Sequence, residues 1–509
     1  MAKTGKQKQP APFEKRLMQA SELIRQGRSN EVLHGLVEMG KRKPKDFRIF
    51  DLLCSANASM GRHAEAIEAG RRAVGLNPKV APTRMRFAKA LAGGGEYEEA
   101  VEEYERAMYW DPTNLDLIRG KLNVYTDLGD HEKALATLRE MEGMIAKQGH
   151  DPMKMIGVSL DKARLSPKTL PAQEVIDELV PLAENEENPD GFRVIAHHHV
   201  GRLYETLKEY DLAMEHWGKG NVIKIPEWDC DMYSRYIDRL IKCWEKIEKV
   251  PVADTAIAKD VGSRLIIVTG MMRSGTSLTE QMISQIPGVT PGGEMNAVAR
   301  CVLPYESLPN PWGGRALPVT RLIYNQRVIN EMSKAAGKMY AEAAPEGWLT
   351  DKQPYNVPYV PMITRLFPGA KIVHCCRDAQ DCCLSNYMQT FARSHPQTHD
   401  LYRMGRYHAD YQRMMAAWHE LDEVEMLDLH YEKVVSEPEA ESRRVCDFLG
   451  VEWAESILNF HKSERTVRTA SRDQVRKPLY KSSVKKYERY ESHLGELRRG
   501  LAEGLGSGG

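Results

Sequence analysis

Residues 264–278 read RLIIVTGMMRSGTSL, and this stretch decides the class of the C-terminal fold. The apolar run 264–269 predicts a short buried strand, and residues 278–286 predict a helix. The loop between them has a glycine at each end, Gly270 and Gly275, followed by hydroxyl residues. Such a loop can aim consecutive backbone N–H groups and the helix dipole at a phosphate. The sequence therefore predicts a P-loop-like unit of strand, anion-binding loop and helix.

The loop differs from that of the nucleotide triphosphatases at one position. It keeps the G-x4-G spacing of the motif GxxxxGK[ST], but Thr276 stands where that motif has lysine. Because the lysine normally contacts the β- and γ-phosphates, its absence disfavours an ATPase, a GTPase or a kinase. No grouping of His, Cys or carboxylate residues in the sequence indicates a metal site.

A second strand that ends at a basic residue lies further along the chain. Residues 371–376, KIVHCC, predict a strand that runs into Arg377 and then into a helical stretch as far as about residue 391. Arg377 can form a two-pronged contact with a phosphate. Ser385, eight residues on, can present its hydroxyl to the same anion if the intervening chain turns into a helix. The two strand ends together predict a divided anion-binding site.

The N-terminal half repeats with a period of 34 residues. The recurring positions are Pro44, Pro78 and Pro112; Gly27, Gly61, Gly95 and Gly129; and Ala66, Ala100 and Ala134. This period, with a small residue between paired helices and a closing proline, resembles tetratricopeptide (TPR) repeats, which are helix-turn-helix pairs. Four units fit residues 10–146, and a degenerate copy ends at Pro226.

Such repeats stack into a superhelix with a concave groove, because one helical pair cannot bury its own apolar face. The groove can bind a protein or peptide partner. It can equally be a spacer, or the surface that pairs two chains into a homodimer. Repeat residues report packing rather than ligands, so these interpretations stay open.

Composition limits the remaining classes of function. The chain has 509 residues, and its 71 Lys and Arg balance 71 Asp and Glu, which leaves no overall field for nucleic acid or an anionic membrane. Nine scattered cysteines fit reduced thiols better than a secreted disulfide framework. The sequence has no apolar signal segment and no run of about 18 apolar residues. We therefore expect a soluble, cytoplasmic protein of more than one domain that binds neither nucleic acid nor membrane.

Five segments, in one order along residues 262–495, resemble a known family. RSGTSL at 273–278 resembles the 5′-phosphosulfate loop of the sulfotransferases that use 3′-phosphoadenosine 5′-phosphosulfate (PAPS), and CRDAQDCCLSNY at 376–387 resembles their 3′-phosphate site. The others are GGEMNAVAR from residue 292, LTDKQPYNVPYVPMITRLFPGAKIV from residue 349 and RTASRDQVRKPLYKSSVKKYERY from residue 468. Within that superfamily the chain is most similar to the tyrosylprotein sulfotransferases and to bacterial relatives with N-terminal TPR repeats.

The resemblance implies a role for each residue of the donor site. Arg377 and Ser385 would bind the 3′-phosphate, and Tyr431 would lie near the nucleotide. The 5′ end would be held by Arg273, Ser274, Gly275, Thr276 and Ser277. Lys352, at the end of a strand predicted over residues 348–350, would meet the oxygen that bridges phosphate and sulfate. Glu294 would be the general base that takes the proton of the acceptor hydroxyl.

The segment 461–490 is locally basic, with ten Lys and Arg against three acidic residues, a net charge of +7. The resemblance implies that Ser471 stabilises the transferring group, that Gln474 belongs to a segment covering the nucleotide, and that Lys486 reaches phosphate. A solvated helix or a nonspecific RNA contact would explain the same charge. No signature of an RNA-binding fold accompanies it.

Three sites depart from the family pattern, and one of them is Ala379-Gln380, which replaces the common Pro-Arg after Arg-Asp. Met272 stands where a proline usually precedes Arg-Ser-Gly-Thr. Asn296 stands where the tyrosylprotein sulfotransferases have an arginine that engages the acidic peptide, so tyrosine-peptide specificity does not follow. The acceptor stays open among a protein or peptide tyrosine, a carbohydrate, a lipid and a small phenol.

The sequence thus predicts an all-α TPR superhelix at 13–248 and a P-loop-like α/β sulfotransferase domain with a parallel sheet at 262–495. We expect flexible ends at 1–12 and 496–509. The expected reaction transfers a sulfuryl group from PAPS to an acceptor hydroxyl and releases adenosine 3′,5′-bisphosphate, without a metal. The alternative is a TPR protein-interaction scaffold whose nucleotide-binding domain is not catalytic.

Overall fold

A computed structural model describes most of the chain, which folds as two compact units, Met1–Glu184 and Asn185–Gly509. The described residues are 12–26, 28–149, 152–223, 225, 227–302, 308–310, 314–316, 321–391, 395–462 and 481–506. Among them, no helix is both long enough and apolar enough to cross a membrane.

The first unit consists of helical pairs. Its helices are α1 (Pro12–Arg25), α2 (Ser29–Arg42), α3 (Phe47–Ser59), α4 (His63–Leu76), α5 (Ala81–Gly94), α6 (Tyr97–Trp110), α7 (Leu115–Leu128), α8 (His131–Lys147), α9 (Pro152–Leu165) and α10 (Ala172–Glu184). Helices α3, α5 and α7 begin 34 residues apart, and so do α4, α6 and α8. The predicted repeat architecture is therefore confirmed, and it extends through α9 and α10.

Small residues at the repeated positions explain the close packing of each pair. Ala66, Ala100 and Ala134 lie in the first turns of α4, α6 and α8 and are completely buried. Gly95 ends α5 in the left-handed conformation, with φ of +91°, and so turns the chain back into α6. These are the roles that a TPR period assigns to alanine and glycine.

The second unit contains a parallel sheet surrounded by helices. The helices are α11 (Asp190–Leu207), α12 (Tyr210–Val222), α13 (Cys230–Trp244), α14 (Ala256–Gly262), α15 (Thr276–Ile283), α16 (Ala297–Val302), α17 (Gln326–Ala343), α18 (Val360–Leu366), α19 (Ala379–Tyr387), α20 (Leu401–His419), α21 (Tyr431–Ser436), α22 (Pro438–Leu449) and α23 (Gly495–Gly506). The strands are β1 (Leu265–Gly270), β2 (Val289–Pro291), β3 (Leu308–Asn310), β4 (Gly314–Ala316), β5 (Trp348–Lys352), β6 (Lys371–Cys376) and β7 (Met426–His430). Short 3-10 turns join them, among them Pro354–Tyr359 and Lys486–His493.

The main sheet has the order β2-β5-β1-β6-β7, and all its pairs are parallel. Strand β1 is completely buried, with Leu265 and Ile267 in one apolar cluster and Ile266 and Val268 in another, on the opposite face. Helices therefore cover both faces, as in other α/β folds with parallel sheets. The predicted α/β class is confirmed, and the strand ends place the loops after β1, β5 and β6 along one edge.

Helices α11 to α13 belong to the second unit, although the first two of them continue the helical-pair pattern. Asn221 of α12 donates a hydrogen bond to the carbonyl of Tyr387 at 3.0 Å. Ser234 of α13 donates to Asp410 of α20 at 2.7 Å. The predicted repeat range 13–248 thus crosses the border between the two units. A repeat pattern indicates which face of a helix is apolar, but not which element covers that face.

The C-terminal helix α23 completes this unit by packing against α20. A methyl group added at Gly500 would lie 2.2 Å from the carbonyl oxygen of Tyr402, so the two helices approach through glycine. Leu497 of α23 is completely buried. Residues 496–506 are therefore a packed helix, which differs from the flexible C-terminus expected from the sequence. The expected flexible N-terminus lies, except for its last residue, outside the described residues.

Candidate active site

The loop after β1 has the shape expected of an anion-binding loop. Arg273 and Gly275 both have positive φ, at +69° and +105°, and α15 begins directly afterwards at Thr276. Ser274, Thr276 and Ser277 are buried. A left-handed arginine is strained, and such strain persists where the surroundings hold it. The backbone N–H groups at this turn and at the start of α15 can together receive an anion.

The end of β6 lies against this loop, as the divided site requires. Arg377 donates hydrogen bonds to the carbonyl of Arg273 at 2.9 Å and to the carbonyl of Ser483 at 2.7 Å. The Nε of Arg273 donates to the hydroxyl of Ser385 at 3.1 Å. The structure therefore brings the 5′ loop and the two predicted 3′-phosphate residues into direct contact.

Tyr431 forms one wall of this region. The guanidinium of Arg377 lies 4.7 Å from the centre of the Tyr431 ring. A methyl group at Gly275 would lie 2.9 Å from the same ring, so glycine allows the tyrosine to pack on the loop. Within the described residues, Arg377 Nε and Ser274 Oγ are buried and have no hydrogen-bond partner. Two orphaned polar groups beside a loop of backbone donors fit a phosphate-bearing ligand.

Lys352 and Glu294, 58 residues apart in sequence, form an ion pair of 2.5 Å between Nζ and Oε1. The Lys352 side chain is 2% exposed and that of Glu294 is 47% exposed. The pairing follows from the backbone, because Lys352 ends β5 and its N–H donates to the carbonyl of Gly293 at 2.8 Å. The N–H of Gly293 in turn donates to the carboxylate of Glu280 at 2.8 Å. A buried cation therefore meets a carboxylate that faces solvent.

Asp351, which the sequence reasoning did not single out, supports this arrangement from beneath. Its carboxylate accepts hydrogen bonds from the hydroxyl of Tyr340 at 2.6 Å and from the N–H of Met295 at 3.3 Å. Burial raises the pKa of Asp351 to about 6, although both hydrogen bonds favour the charged form. Asp351 thus ties β5 to the chain that follows Glu294. In the sequence, only its position next to Lys352 could have indicated this role.

A cavity of about 480 Å³ opens beside Glu294. Residues from the loop after β1, from the Pro354–Tyr359 turn and from helices α13, α16 and α20 line it. Aromatic rings dominate the described wall: Tyr233, Tyr236, Tyr355, Tyr359, Tyr407 and Tyr411. The sequence reasoning missed these residues, because no local pattern brings α13 and α20 to the same place.

His395 is a second titratable group in the cavity wall that the sequence reasoning missed. Its Nδ1 lies 2.6 Å from the hydroxyl of Tyr355, and the two rings stack. Burial and the neighbouring His399 hold the pKa of His395 below its usual value. His395 is therefore an uncharged ring at neutral pH that can accept a proton.

The remaining predicted residues are placed as follows. Lys486 forms an ion pair of 2.5 Å with Glu205 of α11, which also accepts a hydrogen bond from Tyr490 at 2.9 Å. Ser471 and Gln474 lie outside the described residues. Lys486 is thus paired with an acidic side chain of α11.

His374 is buried in β6. Its Nδ1 contacts Asp428 at 2.7 Å and its Nε2 contacts the Tyr411 hydroxyl at 2.5 Å. His419 also contacts Asp428, at 3.2 Å, so the ligand atoms of the three residues lie within 4.8 Å of one another. These hydrogen bonds explain the grouping, and we assign no metal to it.

Comparison with known proteins agrees with this fold. Residues 266–455 match the family described as "Sulfotransferase family", and residues 81–114 match "Tetratricopeptide repeat". An "Uncharacterized protein" of Aquifex aeolicus (strain VF5) is 30% identical over 441 residues, which are 83% of this chain and 54% of that protein. "Protein-tyrosine sulfotransferase A" of Caenorhabditis elegans is 26% identical over 243 residues, 44% of this chain and 62% of that protein.

The chain thus spans about half the length of the first of these relatives and less than two thirds of the second. Among solved structures, sulfotransferase STF9 from Mycobacterium avium is 17% identical and covers 66% of this chain and 96% of its own, with a TM-score of 0.26. A TM-score of that size does not bear on the fold. The family matches, together with the parallel sheet and the helical repeats, show that this chain carries a sulfotransferase-family domain at residues 266–455 and a tetratricopeptide repeat at residues 81–114.

Proposed function

We propose that this protein is a PAPS-dependent sulfotransferase that moves a sulfuryl group to an acceptor hydroxyl and releases adenosine 3′,5′-bisphosphate. The observation that carries the proposal is the contact between Lys352 and Glu294, a buried cation and a half-exposed carboxylate in the wall of a cavity. A cation for the leaving group and a base for the acceptor are the two groups that this reaction needs.

The donor would be held by residues that the fold brings together. The loop at 273–277 offers backbone N–H groups and hydroxyls to the 5′ end. Arg377 and Ser385 offer a guanidinium and a hydroxyl to the 3′-phosphate, and the buried Nε of Arg377 is one of the orphaned donors. When bound, PAPS supplies an activated sulfuryl group on a good leaving phosphate.

Two side chains would act on the reacting atoms. Lys352 would stabilise the negative charge that develops on the bridging oxygen, with the effectiveness that a low-dielectric site gives to a buried charge. Glu294 would accept the proton of the acceptor hydroxyl. The hydrogen bond from Lys352 Nζ to Oε1 would hold the carboxylate in place while Glu294, whose side chain is 47% exposed, takes the proton.

The names of the curated relatives suggest a tyrosine hydroxyl as the acceptor, since the C. elegans protein is named a protein-tyrosine sulfotransferase. We also propose that the N-terminal repeats bind a protein partner, because stacked repeats form an extended concave surface. A cytoplasmic location completes the proposal and rests on the sequence alone.

The proposal is tested first by a thermal-shift titration with adenosine 3′,5′-bisphosphate, using AMP and ATP as controls. A ligand that binds only the folded protein raises its melting temperature with the logarithm of concentration over Kd. We expect the bisphosphate to stabilise the protein at lower concentration than AMP does, and we expect this selectivity to be lost in Arg377→Ala. Arg327→Ala is the matched control, because Arg327 is an exposed arginine of α17.

Transfer is then measured as the release of adenosine 3′,5′-bisphosphate from PAPS in the presence of acceptors. Equal stabilisation by AMP and the bisphosphate would contradict the donor assignment. Selective binding without PAPS turnover on any acceptor would favour the scaffold with a non-catalytic nucleotide domain.

A further inference from the structure

The cavity beside Glu294 is built mainly from aromatic and apolar side chains. Tyr233 and Tyr407 stack with their ring centres 5.1 Å apart, and Tyr236 lies beside them. The other apolar wall residues are Met271, Met272, Met414, Val357, Pro354, Pro358 and Ala299. A volume of about 480 Å³ is within the range of pockets that enclose small organic molecules. Flat rings are the groups that such a wall contacts best.

The polar groups of the wall largely contact one another. Gln353 donates a hydrogen bond to the side-chain oxygen of Asn296 at 2.6 Å. The hydroxyl of Tyr355 lies 2.6 Å from Nδ1 of His395 and 2.9 Å from Sδ of Met272. A ligand rich in hydroxyls, such as a carbohydrate, would have to break these contacts to be recognised.

The described part of the wall offers no positively charged side chain to an acidic ligand. Among the described residues that line the cavity, none is lysine or arginine, and Glu294 is the one carboxylate. His395 is neutral at pH 7, because burial lowers its pKa. Asn296, with φ of +53°, is an uncharged residue of this wall. Acidic residues next to an acceptor tyrosine would therefore find no lysine or arginine among the described wall residues, because the nearby Lys352 is already paired with Glu294.

From these observations we infer that the cavity is the acceptor site and that it takes a neutral, free aromatic molecule with a phenolic hydroxyl, rather than an acidic tyrosine peptide. This inference rests on the proposed function and narrows its acceptor. A phenol suits Glu294 because its pKa of about 10 is far closer to that of a carboxylic acid than the pKa of an alcohol is.

The atoms and electrons of the proposed reaction balance. The phenolic oxygen forms a bond to sulfur, and the bond between sulfur and the bridging oxygen of PAPS breaks. The phenolic proton passes to the carboxylate of Glu294, and the electron pair of the broken bond leaves with the phosphate beside Lys352. The products are an aryl sulfate and adenosine 3′,5′-bisphosphate, and no electrons are gained or lost.

The test compares matched acceptors with the full-length protein and PAPS. The probes are 2-naphthol, its alcohol counterpart 2-naphthalenemethanol, a peptide with one tyrosine between glutamates, and the same peptide with serines in place of the glutamates. We expect kcat/KM for 2-naphthol to exceed that for the acidic peptide by at least about tenfold, and the serine peptide to exceed the acidic one. We expect the alcohol to bind but to react more slowly than the phenol.

A substitution in the cavity wall tests whether the acceptor binds in the cavity. Ala299→Leu extends a wall residue of α16 into the space, so the KM for 2-naphthol should rise about 5- to 100-fold, as overpacking does elsewhere. The thermal shift with adenosine 3′,5′-bisphosphate should stay unchanged. Ala343→Leu, on the exposed end of α17 and away from the wall, should change neither quantity.

Each of these results either supports or contradicts the inference about the acceptor. A kcat/KM for the acidic peptide equal to or above that for 2-naphthol overturns the inference, and so does an unchanged KM in Ala299→Leu. If no phenol is sulfated or bound while the bisphosphate binds selectively, the acceptor assignment fails and the donor site stands. If the bisphosphate does not bind selectively, it is the proposed function that fails.

Discussion

Glu294→Gln is the substitution that tests the proposed chemistry most directly. Glutamine keeps the length of the side chain and an oxygen that can accept from Lys352, but it cannot take a proton. A positioned general base contributes about 10²- to 10⁴-fold to a rate, which corresponds to about 2.7–5.4 kcal/mol of activation free energy. We therefore expect kcat to fall within this range, while the Kd of adenosine 3′,5′-bisphosphate stays within about twofold.

The exposure of Lys352 and Glu294 limits how much stability Glu294→Gln is expected to lose. Breaking a fully buried ion pair costs about 3–5 kcal/mol because the remaining charge is stranded. Here the lysine is 2% exposed and the carboxylate 47% exposed, so water already solvates one side of the pair. We expect the free energy of unfolding to fall by about 1 kcal/mol, close to the value for partly exposed pairs. Lost activity is then not explained by lost folding.

The assay follows release of adenosine 3′,5′-bisphosphate from PAPS with the best acceptor, in parallel with urea unfolding. Lys352→Met is the companion variant: it replaces a buried ammonium with an apolar side chain, so stability should be unchanged or higher, while kcat falls about 10²- to 10³-fold. If Glu294→Gln keeps more than about one tenth of kcat, the assignment of the base is refuted. His395→Asn would then be examined, since His395 lies in the same wall.

Three further results are expected. Because burial raises the pKa of Asp351 to about 6, the folded state holds the proton more tightly than the unfolded state, and the free energy of unfolding should fall as pH rises from about 4 to 6. By urea unfolding, Asp351→Asn should lose this pH dependence, which amounts to up to about 3 kcal/mol in the wild type. An unchanged pH profile in the variant would argue against the raised pKa of Asp351. Glu205→Gln removes the acidic partner of Lys486, so adenosine 3′,5′-bisphosphate should bind a few-fold more tightly when its Kd is measured by calorimetry. Weaker binding would show that the ion pair positions Lys486 instead. Gly500→Ala places a methyl group 2.2 Å from a carbonyl of the neighbouring helix and should lower the free energy of unfolding by about 1–3 kcal/mol. Gly506→Ala is the control, because open space surrounds Gly506 and its stability should not change. Equal melting temperatures for the two variants would contradict the close packing of the helices.

The helical repeats and the central strands could be read from the sequence because their signals are local. A 34-residue period reports the length of a helical pair, and α3, α5 and α7 begin at that spacing. The strand expected over 371–376 is β6, Lys371–Cys376, and the loop at 270–275 lies between β1 and α15 as predicted. Apolar runs bounded by glycine predict such elements without reference to the rest of the chain.

The chemistry of single residues could also be read from the sequence, but not their partners. Arg273 and Ser385 are 112 residues apart, and Lys352 and Glu294 are 58 apart, yet each pair is in contact. Motif order suggested that these residues share a site. That Lys352 touches Glu294 depends on the hydrogen bond between β5 and the Gly293 turn, which no motif specifies.

What the sequence alone determined is therefore the repeat architecture and the parallel α/β class, since each depends on periodicity or short spacing. The candidate donor residues were predicted from motifs that resemble a known family. Only the tertiary structure decided that α11 to α13 join the sulfotransferase unit, that Tyr233 and Tyr407 from two distant helices form one wall, and that this wall is aromatic and without described cations. The physical reason is that a helix pattern records how wide its apolar face is, whereas the identity of the neighbour on that face is set by contacts between segments far apart in the chain.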